Sequence, residues 1–328
     1  MKRLEELDTV RGLMIMWMLI VHISLNYGYI VYGTPLPRLS IFSWMSFFMV
    51  PFFFFSGFCF KEGVPFMVFL KKKTLTLIVP YIFYTLVGGG IYLVYSYIHN
   101  GCFDSKVLNI PISGMPFYNT PMWFFVTLFS VNIAYYLLRK LPNIIVHVTI
   151  LLCFIVAWQI EGANSHHILM HRAFPLALVY FHLGNQLNRY QKLINVRVFI
   201  FCIVGYVIIN VLNQQCLWFV DNNHVQGNYL LNLMFSVFAT VGLWYIFRTW
   251  IPNNNWLTSS LNHLGRYSLI VFATHRPILN YVYEPIIRGL WPNVNYYAFL
   301  IIGIFILIVV SIVLYKLIIR LQPKLVGM

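Results

Sequence analysis

The sequence predicts an all-α integral membrane protein, a bundle of about ten transmembrane helices with both termini cytoplasmic. Three observations carry this. Hydrophobic residues make up 60% of the 328 positions, charged residues 9%, and the mean hydropathy is +0.76; a soluble chain of this length needs far more charge on its surface. The apolar residues form long continuous runs rather than the alternation of a membrane β-barrel, and helices satisfy their own backbone hydrogen bonds in lipid. The basic residues sit at the ends of these runs.

Taken in order, the spans fall at roughly 12–32, 41–60, 75–98, 122–138, 143–160, 173–188, 197–214, 229–248, 267–287 and 296–319. Pro51, Gly88 to Gly90 and Gly205 lie inside them, which packing between membrane helices tolerates. The first span is expected to be retained: it lacks a small-residue cleavage site, and Tyr27, Tyr29 and Tyr32 follow its core. The connections set the orientation. Of the 22 Lys and Arg residues, 17 fall on one side, including Lys2, Arg3, Lys61, Arg139, Arg189 and Arg248, with Arg11 at its border. Only Arg38, Lys106, Arg172, Arg276 and Arg288 fall on the other, and the richer side is cytoplasmic. The same topogenic placement explains the net charge of +14 without invoking nucleic acid. No internal repeat, low-complexity linker or appended soluble domain is visible, so residues 1–328 read as one domain.

The chemistry begins in the first span. Arg11 and His22 are eleven residues apart, close to three helical turns and about 16 Å of rise, so both lie on nearly the same helix face. Arg11 belongs at a bilayer edge and His22 near the middle. An ionisable group at that depth is a candidate functional residue, although a buried histidine also serves as packing glue between helices and an arginine at a helix end also serves as a topology anchor. Three further stretches stand out. PFFFFSGFCFK (51–61) carries the small pair Ser56-Gly57 in an aromatic run. FLKKKTLTLIVPY (69–81) places Lys71, Lys72 and Lys73 at a cytoplasmic entrance. LGRYSLIVFATHRPIL (264–279) ends on His275, Arg276 and Pro277.

His166, His167 and His171 suggest metal spacing, with 167 and 171 one turn apart, but no third ligand is evident beyond Glu161, Asp221 or His224. No metal is expected. Cys59, Cys153 and Cys202 read as small core residues, whereas Cys102 and Cys216 fall in outside loops where a disulfide is conceivable. Trp123, Trp218, Trp256 and Trp291 read as interfacial belt residues.

In their order and spacing, LDTVRG with its Arg-x10-His pair, FFFSGF, the basic run before Pro-Tyr, and RYSL followed by His-Arg-Pro resemble the membrane-bound acyltransferase 3 family of bacterial glycan O-acyltransferases. The resemblance runs from residue 4 to about residue 285. PMWFFVTLF (121–129) and FPLALVYFHLGNQL (174–187) look like the compact branch without a fused esterase-like domain. The resemblance implies transfer of an acyl group, usually acetyl, from cytoplasmic acyl-CoA to a hydroxyl of a surface glycan or its lipid-linked precursor, at a bacterial inner membrane. It implies His22 as general base, Arg11 as the residue positioning CoA or substrate, and Lys71, Lys72 and Lys73 near the CoA phosphates. Ser56, Gly57, Trp123, Arg172, His275 and Arg276 are then on the substrate side.

Two departures stand beside it. Larger relatives carry Trp-Ser-Leu-x-x-Glu in mid-chain, whereas here Phe124 and Phe125 follow Trp123 and Leu128 occupies the Glu position. A second basic residue before the Pro-Tyr is absent, with Thr76 near its place. The competing readings are a membrane transporter or flippase for a lipid-linked sugar and a non-catalytic assembly subunit. The eight Asp and Glu residues all read as lying in or near loops or interfaces, which disfavours a proton-coupled carrier.

Overall fold

The computed structural model describes residues 4–32, 43–108, 115–161, 172–212, 217–219, 223–251 and 255–321. In chain order these form α1 (Glu5–Tyr32), α2 (Val50–Phe58), α3 (Phe66–Asn100, with a π-helical stretch at Thr74–Ile78), α4 (Trp123–Leu138), α5 (Asn143–Gln159), α6 (Ala173–Tyr190) and α7 (Val196–Leu212). A short hairpin, β1 (Leu217–Phe219) with β2 (His224–Gln226), precedes α8 (Tyr229–Thr249). Then come α9 (Trp256–Arg266), α10 (Ser268–Ile278), a π-helical stretch at Leu279–Tyr283, α11 (Glu284–Leu290) and α12 (Tyr296–Leu321).

Apart from 41–60, each of the ten apolar segments is largely helical over its described residues, and among the described residues five helices are long and apolar enough to cross a membrane: α1, α3, α4 with its preceding turn, α8 and α12. α5 and α7 are shorter apolar helices of 17 residues. The segment at 41–60 is helical as α2 only over nine residues, because turns occupy 45–49. The reading missed α9. Its Trp256 and Leu257 are exposed while Thr258, Leu261, Asn262 and Gly265 are buried, the one-sided pattern of a helix lying on a surface.

The chain divides into two compact units. Unit 1 comprises Met1–Met14, Leu39–Leu70 and Ser130–Arg266; unit 2 comprises Ile15–Arg38, Lys71–Phe129 and Tyr267–Met328. Unit 1 is organised by glycines that let backbones touch. A Cβ on Gly57 falls 1.8 Å from the Phe181 carbonyl oxygen, and one on Gly184 falls 1.7 Å from that of Phe54. This reciprocal spacing makes α2 and α6 antiparallel neighbours at the small-residue separation of membrane helices. The start of α1 meets α9 in the same way, Gly12 against Leu261 and Gly265 against Asp8. Inside unit 1, Tyr135 Oη donates to Asn185 Oδ1 (2.9 Å) and bonds His182 Nδ1 (3.0 Å).

In unit 2, α10 packs on α3 and α12. Gly88 leaves room for Asn119 and Pro277, and Gly303 for Ile23 and Tyr283. On α12, Tyr297, Ile301, Phe305, Val309, Val313 and Leu317 recur every fourth residue and are exposed, while Phe299, Leu307 and Ser311 are buried. An exposed apolar stripe of this length is what lipid covers.

Cys202 is buried as expected, but Cys59 is exposed, because it caps α2 at its C-terminal end instead of lying within it. Trp256 and Trp291 are exposed as belt residues would be, and Trp123 is buried. Cys216, Arg38, His166, His167 and His171 lie outside the described residues.

Candidate functional site

The principal constellation is in unit 2. α1 presents His22 and, one turn on, Asn26. The His22 ring stands against His275 of α10 with centroids 5.0 Å apart and planes tilted by 35°. His22 retains partial exposure, and its Nδ1 is buried without a hydrogen-bond partner among the described residues. His275 is 0% exposed. The adjacent Arg276 directs Nη1 to Asn26 Oδ1 at 3.5 Å. Asn26 Nδ2 in turn donates to Asn280 Oδ1 (2.9 Å) and Glu284 Oε2 (3.1 Å). Glu284 Oε1 also meets Arg288 Nη2 at 3.0 Å. The result is a line of alternating cationic, amide and anionic groups beginning one turn from His22. The π-helical stretch supplies Asn280 and leads into Glu284, a backbone irregularity of the kind frequent at functional sites.

Around this line, Asn119 Nδ2 donates to Ala273 O at 2.9 Å, tying the turn before α4 to the backbone two residues before His275. Phe124 packs on Phe272 at 5.1 Å, and Trp123 packs edge-on to Phe124. Of the substrate-side residues named from sequence, unit 2 therefore contains Trp123, His275 and Arg276 with His22. The loop after α3 is pinned by Tyr92 Oη donating to Asp104 Oδ2 at 2.6 Å. That bond, with the Lys106 backbone N–H, holds the Asp104 carboxyl below its ordinary range. Lys71 and Lys72 are exposed and Lys73 partly so, where α3 enters its π-helical stretch.

Arg11, Ser56, Gly57 and Arg172 belong to unit 1. Arg11 pairs with Asp8 (Nη1 to Oδ1, 3.4 Å); Asp8 is 3% exposed and the Arg11 side chain 23%. Asn262 of α9 donates to the Glu5 carbonyl at 3.1 Å, fixing the turn that carries Asp8. The close approach that Gly57 permits is to the Phe181 backbone, and Ser56 Oγ donates to Phe52 O at 2.7 Å. Arg172 precedes the first residue of α6 and is partly exposed. At one end of unit 1, Arg139 Nε (2.9 Å) and Arg189 both donate to Glu62 Oε1. Partial burial pushes the Glu62 carboxyl up, and the two guanidinium hydrogen bonds outweigh it and hold it below its ordinary range.

Sequence reading missed Asp8, Asn26, Asn119, Asn280 and Glu284. Two carried a signal: Asp8 is three residues before Arg11 and Asn26 four after His22, both on-face spacings of a helix. Glu284, read as interfacial, lies within the helical run that continues from α10 and bonds to α1. Among the described residues no three His, Cys, Asp or Glu side chains converge as a metal set.

The α-helical chain thus sets a partly exposed His22 against a buried His275, beside an arginine–amide–carboxylate line. A family model described as an acyltransferase domain matches residues 4–316, and the chain belongs to this acyltransferase 3 family. It is a membrane acyltransferase of that general kind. No curated protein and no solved structure matches it.

Proposed function

We propose that this acyltransferase moves an acyl group, most simply acetyl, from cytoplasmic acyl-CoA to a hydroxyl of a cell-surface polysaccharide or its lipid-linked precursor. In this reading the chain lies in a bacterial inner membrane with about ten crossings and both termini in the cytoplasm. The observation that carries it is His22: a partly accessible imidazole whose Nδ1 is buried and has no partner among the described residues, in a largely apolar stretch of α1. Such a group is costly to keep for packing alone.

The reaction needs a base, a positioned thioester and stabilisation of the oxyanion. Neutral His22 takes the acceptor hydroxyl proton as the acceptor oxygen bonds to the acyl carbon. The carbon–sulfur bond breaks, and CoA leaves as a thiolate that recovers the proton. Arg11 suits a CoA phosphate through its fork of donors, and its pairing with buried Asp8 supports a fixed geometry. Lys71, Lys72 and Lys73 supply further positive charge for CoA. Arg276 and Asn26 suit the acceptor or the oxyanion, and Trp123 suits the substrate side. No metal is assigned a role.

A second reading, a transporter or flippase for a lipid-linked sugar, draws on Glu284, a partly buried carboxylate within a helix. One assay separates them. Membrane vesicles with wild type or His22→Ala receive radiolabelled acetyl-CoA and candidate glycans. Label reaching glycan with wild type and absent with the variant supports the acyltransferase and its base. Label with both removes His22 from the chemistry. No label and no acyl-CoA binding favours transport.

A further inference from the structure

Two buried imidazole nitrogens in unit 2 lack partners among the described residues: Nδ1 of His22 and Nε2 of His275. The tautomer of His275 follows from its surroundings. Its Nδ1 lies 2.9 Å from the Phe272 carbonyl oxygen and 3.2 Å from that of Val271. A carbonyl oxygen only accepts, so Nδ1 carries the hydrogen and donates it. In the neutral ring this leaves Nε2 as a bare acceptor, sealed inside a residue that is 0% exposed. The neighbouring ring is His22, at 5.0 Å between centroids. An in-plane N–H···N bond of ordinary length between two imidazoles also sets their centroids about 5 Å apart. The rings are tilted by 35°, and χ2 of histidine is a broad, soft torsion about which they adjust.

We propose that His275 is a positioning residue for His22: its backbone-locked Nε2 accepts the His22 Nδ1–H, so that His22 presents its lone pair at Nε2. This rests on the reading of His22 as general base. The chain is Phe272 carbonyl, His275, His22, acceptor hydroxyl. Each link fixes the tautomer of the next, as a base oriented by a third group requires. It resolves both orphaned nitrogens with one hydrogen bond. It also explains why a histidine is buried at 275 while Arg276, the next residue, turns to Asn26.

The test has two arms on the full-length protein in lipid nanodiscs. In the first, nitrogen-15 spectra of histidine-labelled protein report the His22 tautomer, assigned by subtraction of a His22→Asn spectrum. The expected result is His22 protonated at Nδ1 and bare at Nε2, with both tautomers populated in His275→Phe. A wild-type His22 protonated at Nε2, or a tautomer unchanged in His275→Phe, overturns the proposal. In the second, His275→Phe keeps a ring but no acceptor, whereas His275→Gln restores an acceptor oxygen. Acyl transfer is expected to fall about 100-fold in kcat for Phe, with KM for acyl-CoA little changed and a shifted pH profile, and to recover at least about tenfold in Gln. Equal loss in both variants overturns it. A wild type that binds acyl-CoA without transferring it counts against the acyltransferase reading, while the spectroscopic arm still decides the tautomer.

Discussion

Asn26 Nδ2 donates to Glu284 Oε2 across 3.1 Å, joining α1 to α11 one helical turn from His22. The same amide donates to Asn280 and receives Arg276 on its oxygen. Three polar side chains from one helical run thus bond to a single residue of another helix. Asn26→Leu removes their shared partner at constant size. Each hydrogen bond lost between partly buried groups costs about 0.5–1.5 kcal/mol. The expected outcome is a clearly lower melting temperature in detergent together with reduced acyl transfer. An unchanged melting curve would show that the network contributes nothing to stability.

The α2–α6 crossing gives a second expectation. A Cβ on Gly57 meets the Phe181 carbonyl oxygen at 1.8 Å, and backbone cannot swing aside as a side chain can. Gly57→Val or Gly184→Val should cost more than about 3 kcal/mol and abolish monodisperse folded protein on size-exclusion chromatography. Gly90→Ala is the control, since nothing lies within 4 Å of its Cβ position, and it should fold like wild type.

Glu62 provides the pH dependence. Its carboxyl is held below its ordinary range by Arg139 and Arg189. A depressed folded value means the stabilisation is complete above the unfolded carboxylate range and is lost as pH falls through the folded value. The side chain is 48% exposed, so the effect is that of a surface pair and weakens with salt. Thermal melts from pH 7 down to pH 3 at low salt should show a smaller drop for Glu62→Gln than for wild type, and the difference should shrink at 0.5 M salt.

Arg11 tests the acyl-CoA end. Arg11→Lys keeps the charge but not the fork of donors. If Arg11 binds a CoA phosphate, the apparent KM for acyl-CoA should rise about tenfold, with a smaller change in kcat. Unchanged acyl-CoA dependence would leave Arg11 as a helix-end anchor paired with Asp8.

Much of this protein was legible in its residues because membrane insertion writes itself locally. Apolar runs mark α1, α3, α4, α8 and α12 without knowledge of any neighbour, and an ionisable residue in such a run marks itself as costly, which is how His22 stood out. Segments whose helicity depends on neighbours were harder. α2 is cut to nine residues by the turns at 45–49, and α9 has too few apolar residues to register until its buried face is seen against the start of α1.

The sequence alone determined the class of the protein, an α-helical membrane acyltransferase, because composition, helical spacing and the order of its motifs are properties of the chain. It also shows His22, His275 and Arg276 as polar side chains within apolar runs. Only the tertiary structure decided that His275 stands against His22, that Arg276 turns to Asn26, and that Glu284 joins them. It likewise decided that Gly57 serves the contact with Phe181. These are contacts between residues far apart in the chain, made by helices whose faces and depth are fixed by packing. No local pattern encodes which helix lies next to which.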